Sequence, residues 1–141
     1  MSVSRRPARV FAMQVLYGIQ VTGCTPGEAL PAVLESQDVS PEMQRFGMDL
    51  VDLVLEHRSE FDAMLRGMSA AWDPERMAMI DLILIQLGFA ELLYAADVPC
   101  KVVLQEAVQI ANKYSTEQSG AFVNGILDRF ARDRNMLGAD Q

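Results

Sequence analysis

The stretch MAMIDLILIQLGFAELLY, residues 77–94, would form a helix that is apolar on nearly all sides. Only Asp81, Gln86 and Glu91 interrupt it with strongly polar side chains. A helix that is hydrophobic all round is touched by neighbours on several sides, so this stretch predicts the central helix of a bundle. Gln86 and Glu91 lie about 140° apart around such a helix at about 100° per residue. We therefore expect them at separate, solvent-exposed edges of the helix.

The rest of the chain also carries helical apolar spacing, and no segment alternates apolar and polar residues for long. Thr25-Pro26-Gly27-Glu28 has the form of a capping box, and Ser40 and Asp73 each precede a proline at a first helical position. Ser115 or Thr116 is expected to cap the last helix. The predicted helices cover about residues 5–22, 26–36, 41–57, 59–68, 76–95, 99–113 and 116–132.

The sequence thus predicts an all-α fold, a compact bundle of about seven helices in two packed helical subdomains. We place the N-terminal subdomain at about residues 1–70 and the C-terminal subdomain at about 71–135, with a polar tail over about 133–141. The chain has 141 residues, of which 50% are hydrophobic and 22% charged. That composition supports a buried core and excludes a disordered chain.

Charge is spread unevenly along the chain. Arg5, Arg6 and Arg9 are the only charged side chains before Glu28, so residues 1–27 carry +3. The remaining 9 basic and 19 acidic residues sum to −10, which gives the net charge of −7. A basic end on an acidic body can bind an anion locally, and the acidic remainder suits a basic protein partner.

Groups that catalyse reactions or bind metals are scarce. The chain has one histidine, His57, and two cysteines, Cys24 and Cys100, without a CxxC, GxSxG or HExxH motif. We therefore expect no enzyme activity, no metal and no cofactor. Two thiols are compatible with a reducing cytoplasm, where we place the protein, and also with one disulfide.

The N-terminal residues have some features of a bacterial lipoprotein signal. Arg5-Arg6 precede an apolar run that ends in VTGC, residues 21–24. Arg9, Gln14 and Gln20 interrupt the run, however, and its apolar residues follow one helical face, whereas a signal core is apolar all round. We therefore expect a folded first helix, and no stretch of the sequence is long and apolar enough to span a membrane.

The predicted first helix has a basic face opposite its apolar one. Arginine binds phosphate as a planar fork, and tyrosine stacks on unpaired bases. The basic face therefore predicts a small single-stranded nucleic-acid site, with an ordinary solvated helix face as the alternative. The side chains expected to point outward on it are Arg6, Arg9, Met13, Tyr17 and Gln20.

The last two predicted helices hold a second basic cluster and an ambiguous motif. In AFVNGIL, residues 121–127, the Asn124-Gly125 pair is typical of a β-hairpin. The apolar residues around it follow helical spacing, so we predict a helix in which Gly125 permits close approach of a neighbour, because glycine there costs about 1 kcal/mol relative to alanine. Phe122 remains open to core packing or base stacking, and Asn124 has no assigned role. The basic cluster consists of Lys101, Lys113, Arg129 and Arg132.

The segment DVPCKVVLQEAVQIANKYSTEQSGAFVNGILDRFAR, residues 97–132, closely resembles the NusB family of transcription antitermination factors. RRPARVFAMQVLYGIQVTG, residues 5–23, and ERMAMIDLILIQLGFAELLY, residues 75–94, resemble the family's first and middle helices. The resemblance covers nearly the whole chain and is weakest over residues 25–70. It implies an all-helical fold of two packed subdomains that catalyses no reaction.

The resemblance also implies a function. It implies binding of the single-stranded boxA element in ribosomal RNA leader transcripts and a heterodimer with NusE, a ribosomal small-subunit protein. The pair would join the RNA polymerase antitermination complex and suppress premature transcription termination. One alternative is a protein-interaction module that acts as a homodimer without direct RNA binding. Another is the N-terminal domain of a ribosomal RNA methyltransferase, for which a chain of 141 residues is too short to include a catalytic domain.

Site residues follow from the resemblance together with the basic clusters. The partner-binding residues are placed around the middle helix, at Glu75, Arg76, Asp81 and Glu91. The expected RNA-binding residues are Arg5, Arg6, Arg9, Tyr17, Lys101, Lys113, Glu117, Gln118 and Phe122.

Some positions depart from the family pattern. Gln86 stands where the family usually has arginine, and Gly88 and Ala90 replace larger or more typical residues, so packing or partner contact there can differ. Gln118 stands where an acidic residue is common. A neutral amide does not repel phosphate, so we expect higher RNA affinity than an acidic residue would give.

Overall fold

The computed structural model describes residues 5–95 and 97–137. These residues form six α-helices and one short 3-10 helix, Pro74–Arg76, without a strand. The all-α prediction is confirmed, with six helices in place of seven. The helices are α1 (Arg6–Thr22), α2 (Pro26–Ser36), α3 (Pro41–Met68), α4 (Met79–Tyr94), α5 (Cys100–Tyr114) and α6 (Ser119–Asp133).

Two predicted helices, 41–57 and 59–68, are one continuous helix of 28 residues, α3. Ser59 was expected to separate them. The buried stripe of α3 continues past it, from Val54 to Phe61 and Leu65 at helical spacing. A serine inside a helix costs only a few tenths of a kcal/mol (~0.5), so packing of this stripe maintains the helix through residue 59.

Local capping rules located the starts of the N-terminal helices well. The Thr25 hydroxyl accepts from the Glu28 N–H at 3.2 Å, and Glu28 Oε1 accepts from the Thr25 N–H at 2.9 Å, which completes the capping box of α2. Ser40 Oγ caps α3 by accepting from the Met43 N–H at 3.2 Å. These bonds satisfy backbone donors that the first helical turn leaves open.

The start of α6 was predicted three residues too early. Neither Ser115 nor Thr116 caps it, because Thr116 lies in the turn before the helix. The Thr116 N–H donates to Ser119 Oγ at 3.1 Å, and Ser119 Oγ donates to Ser115 Oγ at 3.0 Å. The hydroxyl groups therefore bond to one another across this turn, and α6 begins at Ser119.

Helix α4 is the centre of the bundle, as predicted. It packs against α1, α3, α5 and α6, and its residues from Ile83 to Glu91 are all buried. None of the helices in the described ranges is both long and apolar enough to cross a membrane. After α6, Met136 and Leu137 pack against the core, whereas residues 138–141 of the predicted tail lie outside the described residues.

The polar side chains of α4 are buried, so the expectation that they lie at solvent-exposed edges is wrong. The surrounding helices leave α4 no exposed edge there. Each polar group has a protein partner instead, as buried polar groups require. Ser115 Oγ donates to Asp81 Oδ1 at 2.7 Å, and Gln86 Nε2 donates to Asp62 Oδ1 at 2.9 Å. Gln86 therefore joins α4 to α3.

The outward face predicted for α1 is correct only in part. Arg6, Tyr17 and Gln20 are exposed, but Arg9 and Met13 are buried. The reason is that α1 packs against α2, α3, α4 and α5, so its covered surface extends around more of the helix than one apolar stripe.

Close helix approach occurs at other glycines than the one predicted. Gly125 is exposed, and a Cβ added to it would meet nothing within 4 Å. A Cβ on Gly47 of α3 would lie 2.8 Å from the Phe11 ring and 2.9 Å from the Ala8 carbonyl oxygen of α1. On Gly88 it would lie 2.7 Å from the Leu127 side chain. Gly47 thus sets the distance between α1 and α3.

We expect Gly47→Ala to destabilise the fold by about 1–2 kcal/mol, because the added methyl group meets a backbone carbonyl that cannot rotate away. Gly125→Ala is the matched control, and it should be neutral or stabilising by up to about 1 kcal/mol. Chemical denaturation of both variants measures the difference. Equal free energies of unfolding would contradict the close packing assigned to Gly47.

Candidate nucleic-acid interface

A buried ion pair joins the first helix to the central one. Arg9 donates from Nε and Nη2 to the two carboxylate oxygens of Glu91, both at 2.7 Å, and the side chains are 5% and 3% exposed. Arg9 Nη1 also lies 3.7 Å from Glu106 Oε1 on α5. Buried charges require such paired and hydrogen-bonded geometry. One guanidinium therefore ties α1 to both α4 and α5.

A second arginine, one turn earlier, stands at the surface. Arg6 Nε donates to Glu106 Oε1 at 3.0 Å and Nη2 to Oε2 at 2.7 Å. The Arg6 side chain is 48% exposed and that of Glu106 only 14%. The hydrogen bond from Arg6 holds the pKa of Glu106 below its ordinary value, against the opposing effect of burial. Glu106 therefore stays ionised at neutral pH.

The third arginine of the basic end packs on an aromatic ring. The Arg5 guanidinium lies 4.5 Å from the ring centroid of Phe46 on α3, and its Nη1 lies 3.4 Å from Asp97 Oδ2. Arg9 approaches the same ring at 5.7 Å. Stacking on an aromatic face holds a guanidinium at a helix end without burying it completely.

The three arginines thus meet three carboxylates, from Asp97, Glu91 and Glu106. The excess positive charge expected at the N-terminal end is compensated, because folding brings acids that are 82 to 100 residues away to the start of α1. Spacing along the sequence contains no sign of this pairing. The one available signal was helical phase, since Glu106 lies beside Ala107 and one turn before Ile110 on the buried side of α5.

A polar groove runs between α5 and α6. It has a volume of about 720 Å³, and Arg6 and Lys101 contribute cations to it. Amide side chains form much of its wall, and Asn124 lies on the α6 side. The Asn112 amide covers Gly120 so closely that a Cβ there would overlap it. The amides of the groove belong to Gln105, Gln109, Asn112 and Asn124.

A second depression, of about 510 Å³, lies on the other side of Arg6 and Gln109. Val10, Gln37, Lys113 and Tyr114 line it, and Lys113 Nζ is 5.4 Å from the Tyr114 ring centroid. Arg6 therefore stands between two depressions, with Lys101 at one and Lys113 at the other. We name the three cations Arg6, Lys101 and Lys113 the α5 basic surface.

A third pocket, of about 320 Å³, unites residues predicted for two separate surfaces. Gln118 and Phe122, expected to bind RNA, line it together with Arg76 and Asp81, expected to bind the protein partner. Phe122 is half-buried, so its ring both packs on the core and lines the pocket.

The remaining predicted residues lie elsewhere. Glu75 and Glu117 are exposed, and Tyr17 is exposed further along α1; none of them is among the residues lining these three depressions. Glu91 is buried against Arg9, so its placement on a partner surface is wrong. Arg9 is likewise not at the surface, because its guanidinium is enclosed by the helices that it joins.

Within residues 5–95 and 97–137, no three His, Cys, Asp or Glu side chains are grouped so that they could hold a metal ion. Cys24 and Cys100 are both free thiols. The side chains that line the three depressions include cations, amides, carboxylates and the two aromatic rings of Tyr114 and Phe122.

Comparison with known proteins identifies the relatives of this fold. The sequence model of the NusB family matches residues 6–132. The transcription antitermination protein NusB of Geobacter sulfurreducens is 40% identical over 129 residues, covering 91% of this chain and 94% of that protein. NusB of Myxococcus xanthus is 39% identical over 132 residues, covering 91% and 94%. The chain belongs to the NusB family.

Solved structures agree with this assignment. NusB of T. maritima superimposes with a TM-score of 0.82 at 30% identity, covering 94% of this chain and 93% of that one. A chain from the crystal structure of the antitermination factors NusB and NusE in complex with double-stranded RNA gives a TM-score of 0.82 at 28% identity, covering 92% and 96%. The similarity in sequence and the similarity in structure both extend over nearly the whole NusB fold.

Proposed function

We propose that this chain is a non-catalytic transcription antitermination factor. It binds boxA RNA of ribosomal RNA leader transcripts together with NusE, joins the RNA polymerase antitermination complex and suppresses premature termination. The observation that carries this proposal is membership of the NusB family over residues 6–132. The fold match to a complex that contains NusE and RNA supports the choice of partners. Such a factor acts on nascent transcripts, so its place is the cytoplasm.

The α5 basic surface is the proposed track for the RNA backbone. Arg6, Lys101 and Lys113 provide cations for phosphates, which dominate RNA affinity. The amides between them can donate to and accept from the edges of unpaired bases. Arg9 has no direct part in this contact, because its guanidinium is buried and bound to Glu91. Its role is to hold α1 in position, so that Arg6 stands beside α5.

The pocket of Gln118 and Phe122 is the proposed site for an unpaired base. An aromatic ring at a pocket wall offers a stacking surface, and a neighbouring amide offers a hydrogen-bond donor and acceptor. Asp73, Arg76 and Asp81 border the same pocket. A basic protein partner at this acidic border would lie directly beside the RNA, which favours joint binding of both.

The test is a titration of the chain with boxA RNA, with NusE, and with both, and a scrambled RNA of equal length serves as control. We expect ternary assembly and, for the single strand, a slope of log K against log salt of about −2 from three phosphate contacts. A parallel titration with duplex RNA of the same sequence distinguishes binding of a single strand from binding of a double strand. If the chain binds neither boxA RNA nor NusE, the proposal is overturned. A stable homodimer without RNA binding, seen by light scattering, would favour the protein-interaction module.

Gln118→Asp should weaken binding to boxA RNA, because it places a carboxylate in the pocket that already holds Asp73 and Asp81. Asn135→Asp is the matched control, since it makes the same amide-to-carboxylate change at an exposed position after α6 that lines none of the three depressions. We expect a loss of about two- to fivefold for Gln118→Asp, from one repulsive charge near the surface. A wild-type affinity would place Gln118 outside the RNA site.

A further inference from the structure

We propose that Glu106 competes with RNA phosphate for Arg6 and thereby limits the RNA affinity of this chain. This inference rests on the function proposed above and concerns the same surface. Glu106 occupies the guanidinium edge formed by Nε and Nη2 of Arg6, at 3.0 and 2.7 Å. That edge is one of those by which arginine binds two oxygens of a phosphate side by side. A phosphate that uses it must first displace the carboxylate.

The two partners differ in their freedom to move. Glu106 is only 14% exposed and lies against α1, whereas the Arg6 side chain is 48% exposed and borders both depressions of the α5 basic surface. A half-exposed arginine at the first position of α1 can turn towards solvent at little cost. Arg6 is therefore the partner that moves when RNA arrives.

Arg9 makes the exchange possible. Its Nη1 lies 3.7 Å from Glu106 Oε1, while its other donors stay on Glu91. When Arg6 leaves, Glu106 still faces a buried cation and is not left as an isolated buried charge, which would cost several kcal/mol (~3–5). The structure shows the closed arrangement, in which Arg6 binds Glu106. The proposed open arrangement has Arg6 on phosphate, with Arg9 alone facing Glu106.

A positioning role for Glu106 predicts a change in RNA affinity of the opposite sign when its carboxylate is removed. If the carboxylate served to hold Arg6 in the orientation that RNA needs, its removal would weaken RNA binding. Competition predicts tighter binding on removal. The sign of the change in affinity therefore decides between the two roles.

The experiment measures the affinity of Glu106→Gln for boxA RNA across a range of salt concentrations. We expect binding about two- to fivefold tighter than wild type, the range for a partly exposed ion pair. The slope of log K against log salt should stay at about −2, because Arg6 contacts the same phosphate in both proteins and the variant removes only the competing carboxylate. Equal or weaker affinity would overturn the proposal.

Two controls show whether the effect passes through Arg6. Asp128 borders the same groove but pairs with Arg132 at 2.7 Å, so Asp128→Asn removes an equal charge without touching Arg6. We expect a smaller gain from it. In an Arg6→Ala background, Glu106→Gln should give no gain. The same gain in either control would mean that only net charge matters, which contradicts competition for Arg6.

Thermal unfolding confirms that each variant is folded. If Glu106→Gln does not fold, Glu106→Asp replaces it, because it keeps the charge beside Arg9 but is one methylene too short to hold the Arg6 fork. It too must bind RNA more tightly. If the wild type binds RNA and the Glu106 variant binds it no more tightly, the competition is overturned but the proposed function is not. Absence of RNA binding by both would overturn the competition and the proposed function together.

Discussion

The buried pair of Arg9 and Glu91 is the constraint on which the arrangement of this chain depends. A guanidinium and a carboxylate withdrawn from water are tolerated only when each satisfies the other in good geometry, and loss of one partner costs about 3–5 kcal/mol. The two bonds of 2.7 Å leave little freedom in how α1 sits against α4. The position of α1 then determines where its first residues meet α5. Arg6 and Arg5 are thereby brought to Glu106 and Asp97.

This constraint divides the arginine-rich start of the chain into different roles. Arg9 belongs to the core, Arg6 stands at the surface in a bond with a carboxylate, and Arg5 stacks on Phe46. A basic motif of this kind is therefore not a free patch of positive charge. The exposed cations that border a groove with Arg6, namely Lys101 and Lys113, come from the far end of the sequence. In the function proposed for this NusB-family chain, the RNA-binding surface is therefore formed by α1, α5 and α6 packed together.

Local patterns were sufficient for much of the fold. The capping box at Thr25 and the cap at Ser40 follow from hydrogen bonds within four residues, and the central position of α4 follows from its apolar composition. The resemblance in residues 97–132 identified the family. The continuity of α3 and the late start of α6 were missed, because packing of a buried stripe and bonds among hydroxyl groups outweighed the local signals.

The candidate site was less accessible to sequence reasoning, for a physical reason. Burial of Arg9, Asp81 and Glu91 depends on partners that are distant in the chain, and no spacing rule reports such pairs. The glycines show the same limit: Gly125 looked costly and in need of a neighbour, yet the close neighbour is at Gly47, where α1 crosses α3. Gln118 and Phe122 were assigned correctly to one neighbourhood, but their proximity to Arg76 and Asp81 became visible only in the folded chain.

The most direct test of the central constraint is a double-mutant cycle on the free energy of unfolding, with Arg9→Met, Glu91→Leu and the double variant. Arg9→Met leaves the Glu91 carboxylate buried without its partner and should lose about 3–5 kcal/mol. Glu91→Leu leaves the Arg9 guanidinium facing only Glu106 at 3.7 Å and should lose somewhat less. The double variant replaces the pair by apolar side chains of similar size, so it should recover most of that loss. Single variants as stable as wild type, or losses that simply add in the double variant, would contradict the account.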